Sequence, residues 1–326
     1  MENENIFSSR IDLHVLRENV VQIKQEIAKV LVGQEETVEL LLTALFADGH
    51  VLIEGVPGVA KTLTAKIIAK IVSAQFARIQ FTPDLMPSDI LGTNIFNLKI
   101  NDFEYKKGAI FTNILLIDEI NRAPAKTQSA LFELMEERQV TMDGKTYPMD
   151  NPFVVLATQN PIEQEGTYRL PEAQLDRFLF KIEIKYPSLL EEVQILQKIH
   201  QQDYKKLLTQ IEPLLSKEKL LLYRSFLQNV TVENRIIEYI AKIIVATRNN
   251  SSIYLGASPR ASIALLNGSK AYALLQGRDF ITPDDVKRIS FPVLRHRLQL
   301  TPEREMEGIN TDHVVREILQ KIEVPR

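Results

Sequence analysis

The sequence predicts an α/β domain with a largely parallel sheet, followed by a helical domain. Up to Pro187, short apolar runs alternate with helical patterns, which is typical of this fold class. After Tyr186-Pro187-Ser188, strand-like runs largely disappear and long patterns of Leu, Ile, Lys, Glu and Gln take over. A length of 326 residues fits two domains. We therefore expect an α/β core over residues 1–187 and an all-helical lid over residues 188–326.

The strands of the core are predicted from runs that are short, apolar and bounded by polar or turn residues. Four runs have this character: Val51–Ile53, Ile114–Ile117, Phe153–Ala157 and Phe180–Ile184. Between them, Leu63–Val72 and Pro124–Glu137 carry apolar residues at helical spacing. The alternation of these two patterns is the reason for expecting parallel strands joined by helices.

Two β-hairpins are predicted as additions to this core. One covers Asn97–Lys107, with Asn101-Asp102 at its turn, and the other covers Gln139–Pro148. In the second, Asp143-Gly144 suits a type I′ turn. In the helical domain, Ser258-Pro259 and Thr282-Pro283 each place an N-cap before a proline of the first helical turn.

Composition and charge restrict the function classes. The chain contains no cysteine, which excludes disulfides, thiolate metal sites and cysteine nucleophiles. No apolar run is long enough to span a membrane, and the start, MENENIFSSR, lacks the pattern of a signal peptide. The 39 basic and 42 acidic residues leave no basic excess for nucleic acid. We expect a cytoplasmic protein that is not inserted in a membrane and does not bind nucleic acid.

A glycine-containing loop, GVPGVAKT, follows the first strand. Such a loop turns backbone N–H groups around phosphate oxygens at the positive N-terminus of the next helix. Lys61 would reach the β- and γ-phosphates, and the Thr62 hydroxyl would bind Mg²⁺. Ala60 stands where the usual pattern has glycine. Alanine is acceptable at this position if its φ is below zero, and we expect that conformation here. The sequence therefore predicts an ATP site made by Gly55, Pro57, Gly58, Val59, Ala60, Lys61, Thr62 and Leu63.

Two adjacent carboxylates end the strand NILLIDEIN. Asp118 suits the Mg²⁺ site and Glu119 suits polarisation of an attacking water. An acidic turn after a strand is the alternative. The pair follows Lys61 by 57 residues, which leaves room for a further strand between them, as in P-loop ATPases with a catalytic glutamate. The spacing therefore favours a second half of the ATP site.

Three more side chains are candidates for contact with phosphate. Asn160 ends the strand FVVLATQN and either orients a phosphate or water, or forms a turn before Pro161. Arg177 is either an arginine finger acting on a neighbouring subunit or one half of a surface ion pair. Arg260 lies in a first helical turn, where a cation opposes the helix dipole, so either a phosphate or a carboxylate is expected nearby. For Arg122, both a structural and an intersubunit pairing stay open.

These motifs together resemble the MoxR-type AAA+ ATPases. The resemblance runs from Val32-Gly33-Gln34 to the segment ending at Leu298. Its specific strings are FTPDLMPSDILG, DEINRAPAKTQSALFELMEERQVT, ATQNP, EGTYRLPEAQLDRF and GASPRA. The family commonly has alanine before the loop lysine, as at Ala60. Arg169 stands where the family pattern has proline, which adds a second arginine close to Arg177.

The resemblance implies a role for each matching residue. Lys61 and Thr62 would belong to Walker A, and Asp118 and Glu119 to Walker B. Asn160 would be sensor 1, Arg177 the arginine finger and Arg260 sensor 2. The family further implies a homo-oligomeric ring, here expected to be a hexamer, with both hairpins facing its central opening. Protein clients, with von Willebrand A-domain proteins among the partners, would be remodelled or matured.

Three other functions remain as alternatives. A nucleic-acid motor is disfavoured by the balanced charge. A nucleotide-gated switch with little turnover is disfavoured by Glu119, which a pure binder does not need. A small-molecule kinase fits the proposed arginine roles least well.

Overall fold

The computed structural model describes residues 13–56, 58–99, 101–160, 168, 170–201 and 204–325, apart from the side chains of 204 and 205. Two helices precede the first strand, α1 (Leu13–Ala28) and α2 (Glu35–Phe46). The α/β part then contains, in chain order, β1 (His50–Gly55), α3 (Lys61–Ile71), β2 (Phe76–Gln80), α4 (Pro87–Leu91), β3 (Gly92–Asn97), β4 (Asp102–Lys107), β5 (Ile114–Asp118), α5 (Ala125–Glu137), β6 (Gln139–Met142), β7 (Lys145–Pro148), β8 (Val154–Gln159), α6 (Glu172–Leu175) and β9 (Phe178–Ile184).

A five-stranded parallel sheet with the order β2-β5-β8-β1-β9 forms the centre of this part. Its middle strands are rich in leucine and in the β-branched residues valine and isoleucine. They are buried on both faces, because helices cover both faces of a parallel sheet. All four predicted strands are confirmed. Because the strands are parallel, their carboxyl ends share one edge of the sheet, here called the carboxyl edge, and their starts share the opposite amino edge.

The strand that separates β1 from β5 is β8, which comes later in the chain than both. The sequence predicts room for a further strand within the 57 residues between Lys61 and Asp118. Of the strands in that interval, β2 belongs to the five-stranded sheet and lies at its edge. The sequence does not identify β2, because FARIQ alternates apolar and polar residues and is only partly buried.

Both hairpins are present, with one boundary corrected. Asp143 (φ 49°) and Gly144 (φ 76°) form the predicted turn between β6 and β7. The other hairpin begins at Gly92 rather than Asn97, since β3 and β4 pair from Gly92↔Lys107 to Asn97↔Asp102. Its turn therefore precedes Asp102 and includes Asn101, which has a φ of 52°.

The lid is helical, as predicted, with one small addition. Its elements are α7 (Leu189–Gln201), α8 (Tyr204–Gln210), α9 (Lys217–Ser225), α10 (Asn234–Arg248), β10 (Ile253–Leu255), α11 (Pro259–Leu275), α12 (Pro283–Leu294), β11 (Gln299–Leu300), α13 (Pro302–Met306) and α14 (Thr311–Lys321). The addition is a two-stranded antiparallel ribbon of β10 and β11. Both predicted N-caps form: Ser258 accepts from the N–H of Arg260, and Thr282 makes a capping box with Asp285.

The two parts share one hydrophobic core. A single cluster of buried side chains includes residues of α1 and α2, of β1 and β9, and of α10, α11 and α12. Asp176, just before β9, accepts hydrogen bonds from Arg297 Nε (2.6 Å) and Ser258 Oγ (2.8 Å) of the lid. The division at residue 187 therefore stays a prediction, although the secondary structure changes there.

Two buried histidines contribute to the core of the structure. The Nδ1 atom of His50 accepts from the N–H of Val155 (3.0 Å), so its Nε2 atom donates to the carbonyl of Met135 (3.1 Å). Burial lowers the pKa of His50 to about 4, so this ring is neutral at pH 7. Burial also lowers the pKa of His296, whose Nε2 lies 2.9 Å from the Phe178 carbonyl.

Among the helices of the described residues, none combines the length and the apolar stretch that crossing a membrane requires.

Candidate functional site

The glycine-containing loop connects the carboxyl end of β1 to the first turn of α3, which begins at Lys61. Gly58 has a φ of 89°, a conformation that glycine adopts at little cost. Ala60 has φ 62° and ψ 22°, so the assumption of a φ below zero was wrong. Left-handed backbone costs an L-residue about 1–2 kcal/mol, and here Ala60 carries that strain directly before the helix.

Lys61 connects the ends of two neighbouring strands. Its Nζ atom donates to the carbonyl of Gly55 at the end of β1 (2.5 Å) and lies 3.4 Å from the carbonyl of Gln159 at the end of β8. The ammonium group is therefore held at the carboxyl edge of the sheet, beside the N-terminus of α3. A phosphate group cradled by the loop would meet this charge.

Asp118 lies at the centre of a chain of hydrogen bonds. It is 6% exposed, and its Oδ2 accepts from Thr62 Oγ1 (3.3 Å) while its Oδ1 accepts from Thr158 Oγ1 (3.1 Å). Arg78 of β2 also donates to Oδ2 (2.6 Å). The loop, β5 and β8 thus bring Lys61, Thr62 and Asp118 together, as the sequence predicted.

The chemistry of these donors fits Mg²⁺. This ion commonly takes one or two oxygen ligands from the protein and fills its other positions with phosphate and water. The hydroxyl of Thr62 and the carboxylate of Asp118 face each other at hydrogen-bond distance and are the residues that would hold it. Arg78 neutralises part of the Asp118 charge, so binding of the ion would require Arg78 to move or to share this oxygen.

Glu119 follows directly and adopts a left-handed backbone conformation, with φ 59° and ψ 53°. Its N–H donates to Thr158 Oγ1 (3.0 Å), which ties the turn to β8. Its Oε2 accepts from Gln80 Nε2 (2.7 Å) and lies 3.1 Å from Arg122 Nε. The Glu119 carboxylate is therefore held beside the end of β2, at the carboxyl edge of the sheet, by Gln80 and Arg122.

Asn160 completes the group at the carboxyl edge of the sheet. It is buried and directly follows Gln159, the last residue of β8. Because β8 lies between β1 and β5, its end lies between the phosphate loop and the acid pair. This is the position from which a side chain could contact both a phosphate and a water.

A cavity of about 520 Å³ opens beside the phosphate loop. Its walls come from the segment before α2, from the loop, from the residues after β9, and from α7 and α8. Gln34 links the segment before α2 to the loop and to α3. Its Nε2 donates to the Val59 carbonyl (3.2 Å), and its Oε1 accepts from Thr64 Oγ1 (3.2 Å). The space is the right size for a nucleoside and lies between the α/β part and the start of the lid.

Comparison with known proteins decides the family. A model described as "ATPase family associated with various cellular activities (AAA)" matches residues 50–180, and an "AAA lid domain" model matches residues 245–318. Chaperone MoxR1 of Mycobacterium tuberculosis is 43% identical, over 97% of this chain and 84% of its own length. The chain belongs to the MoxR family of AAA+ ATPases. The uncharacterized protein YeaC of Bacillus subtilis is 49% identical over 96% of both chains.

A solved structure supports the same fold. A crystal structure of a Cytophaga hutchinsonii protein superposes on this MoxR-family chain with a TM-score of 0.88 and 42% identity, covering 96% of this chain and 97% of the other. The match includes both the α/β part and the lid.

In this MoxR-family chain, Arg177 and Arg260 bind the same carboxylate. Arg177 donates through Nε to Glu136 Oε2 (2.7 Å), and Arg260 donates through Nη2 to Oε1 (2.7 Å). The hydrogen bond from Arg177 lowers the pKa of Glu136, and the charges of both arginines add to this. The carboxylate that the sequence left open as a partner of Arg260 is Glu136, and the role of Arg260 as sensor 2 stays a prediction.

Both arginines lie far from the phosphate loop of their own chain. Arg177 directly precedes β9, whose first residue, Phe178, pairs with His50 at the start of β1. The phosphate loop leaves the other end of β1, which spans six residues, or about 17–20 Å. The Arg177–Glu136–Arg260 cluster is therefore at the amino edge of the sheet, opposite the candidate site.

Two predicted residues lie outside the described residues, namely Pro57 in the loop and Arg169 near Arg177. Three other side chains of the site were not assigned a role from the sequence: Gln34, Arg78 and Gln80. Glu136, at the opposite edge, was not assigned one either. Gln34 belongs to the Val32-Gly33-Gln34 string of the family resemblance, which was the available signal. Arg122, left open above, pairs with Glu119 of its own chain.

Proposed function

We propose that this chain binds ATP with Mg²⁺ and hydrolyses it in a homo-oligomeric, hexameric ring that remodels or matures protein complexes. The observation that carries this is the chain of hydrogen bonds Thr62–Asp118–Thr158–Glu119 at the carboxyl edge, beside Lys61 and a nucleoside-sized cavity. This arrangement supports the proposal because one edge of the sheet then holds a lysine for phosphate, an oxygen pair for the metal and a glutamate for the attacking water.

The residues divide the chemistry between them. Lys61 and the N–H groups at the start of α3 neutralise the phosphate charge, while Thr62 and Asp118 hold the metal. Bound Mg²⁺ would supply charge neutralisation on the phosphate oxygens. Glu119 accepts a proton from the attacking water, and Asn160 orients that water or the terminal phosphate. The cavity walls around Gln34 hold the nucleoside.

The position of the two arginines supports a ring. Because Arg177 and Arg260 lie at the amino edge, they are too far from their own nucleotide to contact its phosphates. Arg260 is exposed and Arg177 is half-buried, so a neighbouring copy could reach both. One surface of each copy then meets a different surface of the next copy. Such heterologous contacts form closed rings when the rotation closes.

The two hairpins form one unit that could act on a client. Asn94 of β3 donates to Asp143 in the other hairpin, and the rings of Tyr105 and Tyr147 lie 4.5 Å apart. The tip of the first hairpin exposes Leu98 and Phe103. We propose that ATP-driven movement of this joint unit, at the opening of the ring, pulls on protein clients, with von Willebrand A-domain proteins among the partners.

The test is steady-state ATP turnover of the wild type and Glu119→Gln over a range of protein concentrations. Turnover per wild-type chain should rise with concentration as rings form. Glu119→Gln should bind ATP normally and lose turnover by about 100-fold or more, since it lacks the proton acceptor. Glu133→Gln, an exposed carboxylate on α5, is the matched control and should behave as wild type. Unchanged turnover in Glu119→Gln would exclude the proposed chemistry.

A nucleotide-gated switch is the second candidate, and one observation favours it. Glu119 Oε2 is engaged by Gln80 and Arg122, which leaves this oxygen less available to a water. If the wild type binds ATP tightly but shows no turnover at any concentration, this switch is the better description.

A further inference from the structure

Helix α7 exposes an unusually large apolar surface. Five side chains are exposed on it: Leu189 (81%), Leu190 (76%), Val193 (43%), Leu196 (61%) and Ile199 (51%). All residues of α7 are described, and none of them is buried. We call these five residues the α7 stripe. An apolar surface of this kind is typical of a site that another protein covers.

The α7 stripe begins at the rim of the nucleotide cavity. Ile195 and Ile199 line that cavity, and Ile199 also belongs to the stripe. The helix is held firmly in this place. Lys198 Nζ donates to the Ala28 carbonyl (2.6 Å), and the Glu191 side chain lies where a Cβ atom on Gly33 would be, so α7 packs closely on that backbone. A protein that covers the cavity at Ile199 would therefore also contact the α7 stripe.

A second exposed apolar surface surrounds Arg260. Ile263 lies three residues after Arg260 on α11, so both side chains lie on the same side of the helix, and Ile263 is 60% exposed. Tyr254 (76%) and Leu255 (44%) of β10 lead into the same helix. We call Arg177, Arg260, Tyr254, Leu255 and Ile263 the arginine surface.

We propose that the α7 stripe of one copy docks on the arginine surface of the next copy, an inference that rests on the proposed ring. Arg177 and Arg260 are too far from their own cavity, so they reach phosphate only across an interface. Bringing these cations to the anionic phosphates of a neighbouring cavity places Tyr254, Leu255 and Ile263 beside that cavity's rim. The α7 stripe lies at this rim, and apolar surface then meets apolar surface.

This arrangement fits both the charges and the symmetry. The cations of the arginine surface meet the phosphates of the nucleotide, so charge complementarity orients the two copies. The stripe and the arginine surface are different patches of one chain. Each copy therefore contacts one neighbour through its stripe and the other neighbour through its arginine surface. The result is a head-to-tail contact, which is the kind that a ring requires.

The test compares two double variants, Leu189→Ser/Leu196→Ser on the stripe and Tyr254→Ser/Ile263→Ser on the arginine surface. Light scattering and ATP turnover are measured over a range of protein concentrations, with binding of a fluorescent ATP analogue as evidence of folding. Each variant should bind the analogue but need at least tenfold more protein to assemble and to reach wild-type turnover. Met306→Ser, which removes an exposed apolar side chain from α13, is the control and should assemble as wild type.

Mixing the two double variants identifies the occupant of the stripe. An intact arginine surface from one variant can meet an intact stripe from the other, so the mixture should form heterodimers through one wild-type interface at concentrations where neither variant associates alone. The two outer surfaces of such a pair are both substituted, so the mixture should show paired copies, and turnover at the one completed site, rather than full rings. Assembly of both variants at the wild-type concentration would overturn the inference and would leave the proposed ATPase intact. A wild type that assembles but shows no turnover would instead overturn the proposed function. Light scattering of the two double variants would then still show whether the stripe and the arginine surface contact each other.

Discussion

Glu136 is the residue that joins the two candidate trans-acting arginines. Its two carboxylate oxygens each accept from one guanidinium group, and Arg177 also donates through Nη1 to the Ala173 carbonyl (3.3 Å). Fixing a guanidinium group through several hydrogen bonds pre-organises it for contact with phosphate. We infer that Glu136 is a positioning residue that presents both arginines in one orientation.

Glu136→Gln should therefore reduce turnover without affecting nucleotide binding. The amide keeps the size of the side chain but loses the charge, so the arginines lose their fixed orientation, and misplacement of this kind costs about 10- to 100-fold in kcat. KM for ATP should change little, because arginines that act across an interface stabilise the charge of the transition state rather than the binding of ATP. Steady-state kinetics on assembled protein measures both constants. The exposed neighbour Glu137 provides the control Glu137→Gln, and equal kcat values for the two variants would contradict the assignment.

At this scale, the sequence predicts residues whose roles depend on local spacing. Asp118 and Glu119 lie at the end of β5, and Lys61 and Thr62 follow β1 after one short loop, so the strand pattern determines where they lie. The partners of Glu136 are 41 and 124 residues away, and no local pattern identifies such pairs. The positive φ of Ala60 likewise depends on the geometry of the whole loop, and the residue type alone suggested the opposite sign.

At the scale of elements, helix α11 is attached to the core at its first turn. Ser258 Oγ accepts from the N–H of Arg260 (3.1 Å) as an N-cap and also donates to Asp176 Oδ2 (2.8 Å). One hydroxyl therefore both begins the helix and attaches it to the α/β part. The orientation of Arg260 depends on this turn.

Ser258→Ala should destabilise the fold more than loss of a cap alone. Loss of an N-cap costs about 1 kcal/mol, and loss of the hydrogen bond to Asp176 adds about 1 kcal/mol. The matched control is Ser216→Ala, which removes the cap of α9, formed with the Lys219 N–H (3.1 Å), and otherwise affects only a contact with Glu218 in the same turn. The free energies of unfolding in urea measure both losses. A loss in Ser258→Ala no larger than in Ser216→Ala would show that the contact with Asp176 contributes nothing.

The elements that the sequence failed to predict share a physical cause. Strands β2 and β3 are only partly buried. In β2 polar residues alternate with apolar ones, and β3 carries polar residues on both sides, so neither shows an apolar run. The ribbon of β10 and β11 consists of three- and two-residue strands, too short for any periodic pattern. Strands buried on both faces, such as β5 and β8, were predicted because burial requires a continuous apolar run.

At the scale of the whole molecule, the position of the lid determines how far Arg260 lies from the phosphate loop of its own chain. Arg297 is 9% exposed and binds Asp176 Oδ1 (2.6 Å), and it donates to the carbonyls of Phe178 (2.7 Å) and Leu179 (3.1 Å). This buried contact fixes the lid, and with it Arg260, at the amino edge. In the proposed ring, one copy then carries a nucleotide site at one edge and the arginines for a neighbour's site at the opposite edge.

The central claim is that a second copy completes each nucleotide site, and turnover in mixtures of two inactive variants tests it most directly. Glu119→Gln and Arg177→Ala should each bind ATP and lack turnover. An equimolar mixture should regain about a quarter of wild-type turnover, because about one interface in four of a random ring places an intact Arg177 beside an intact Glu119. A mixture of Glu119→Gln with Lys61→Ala, both defective on the nucleotide side, should regain none. Turnover in the first mixture no higher than in its separate components would contradict the claim.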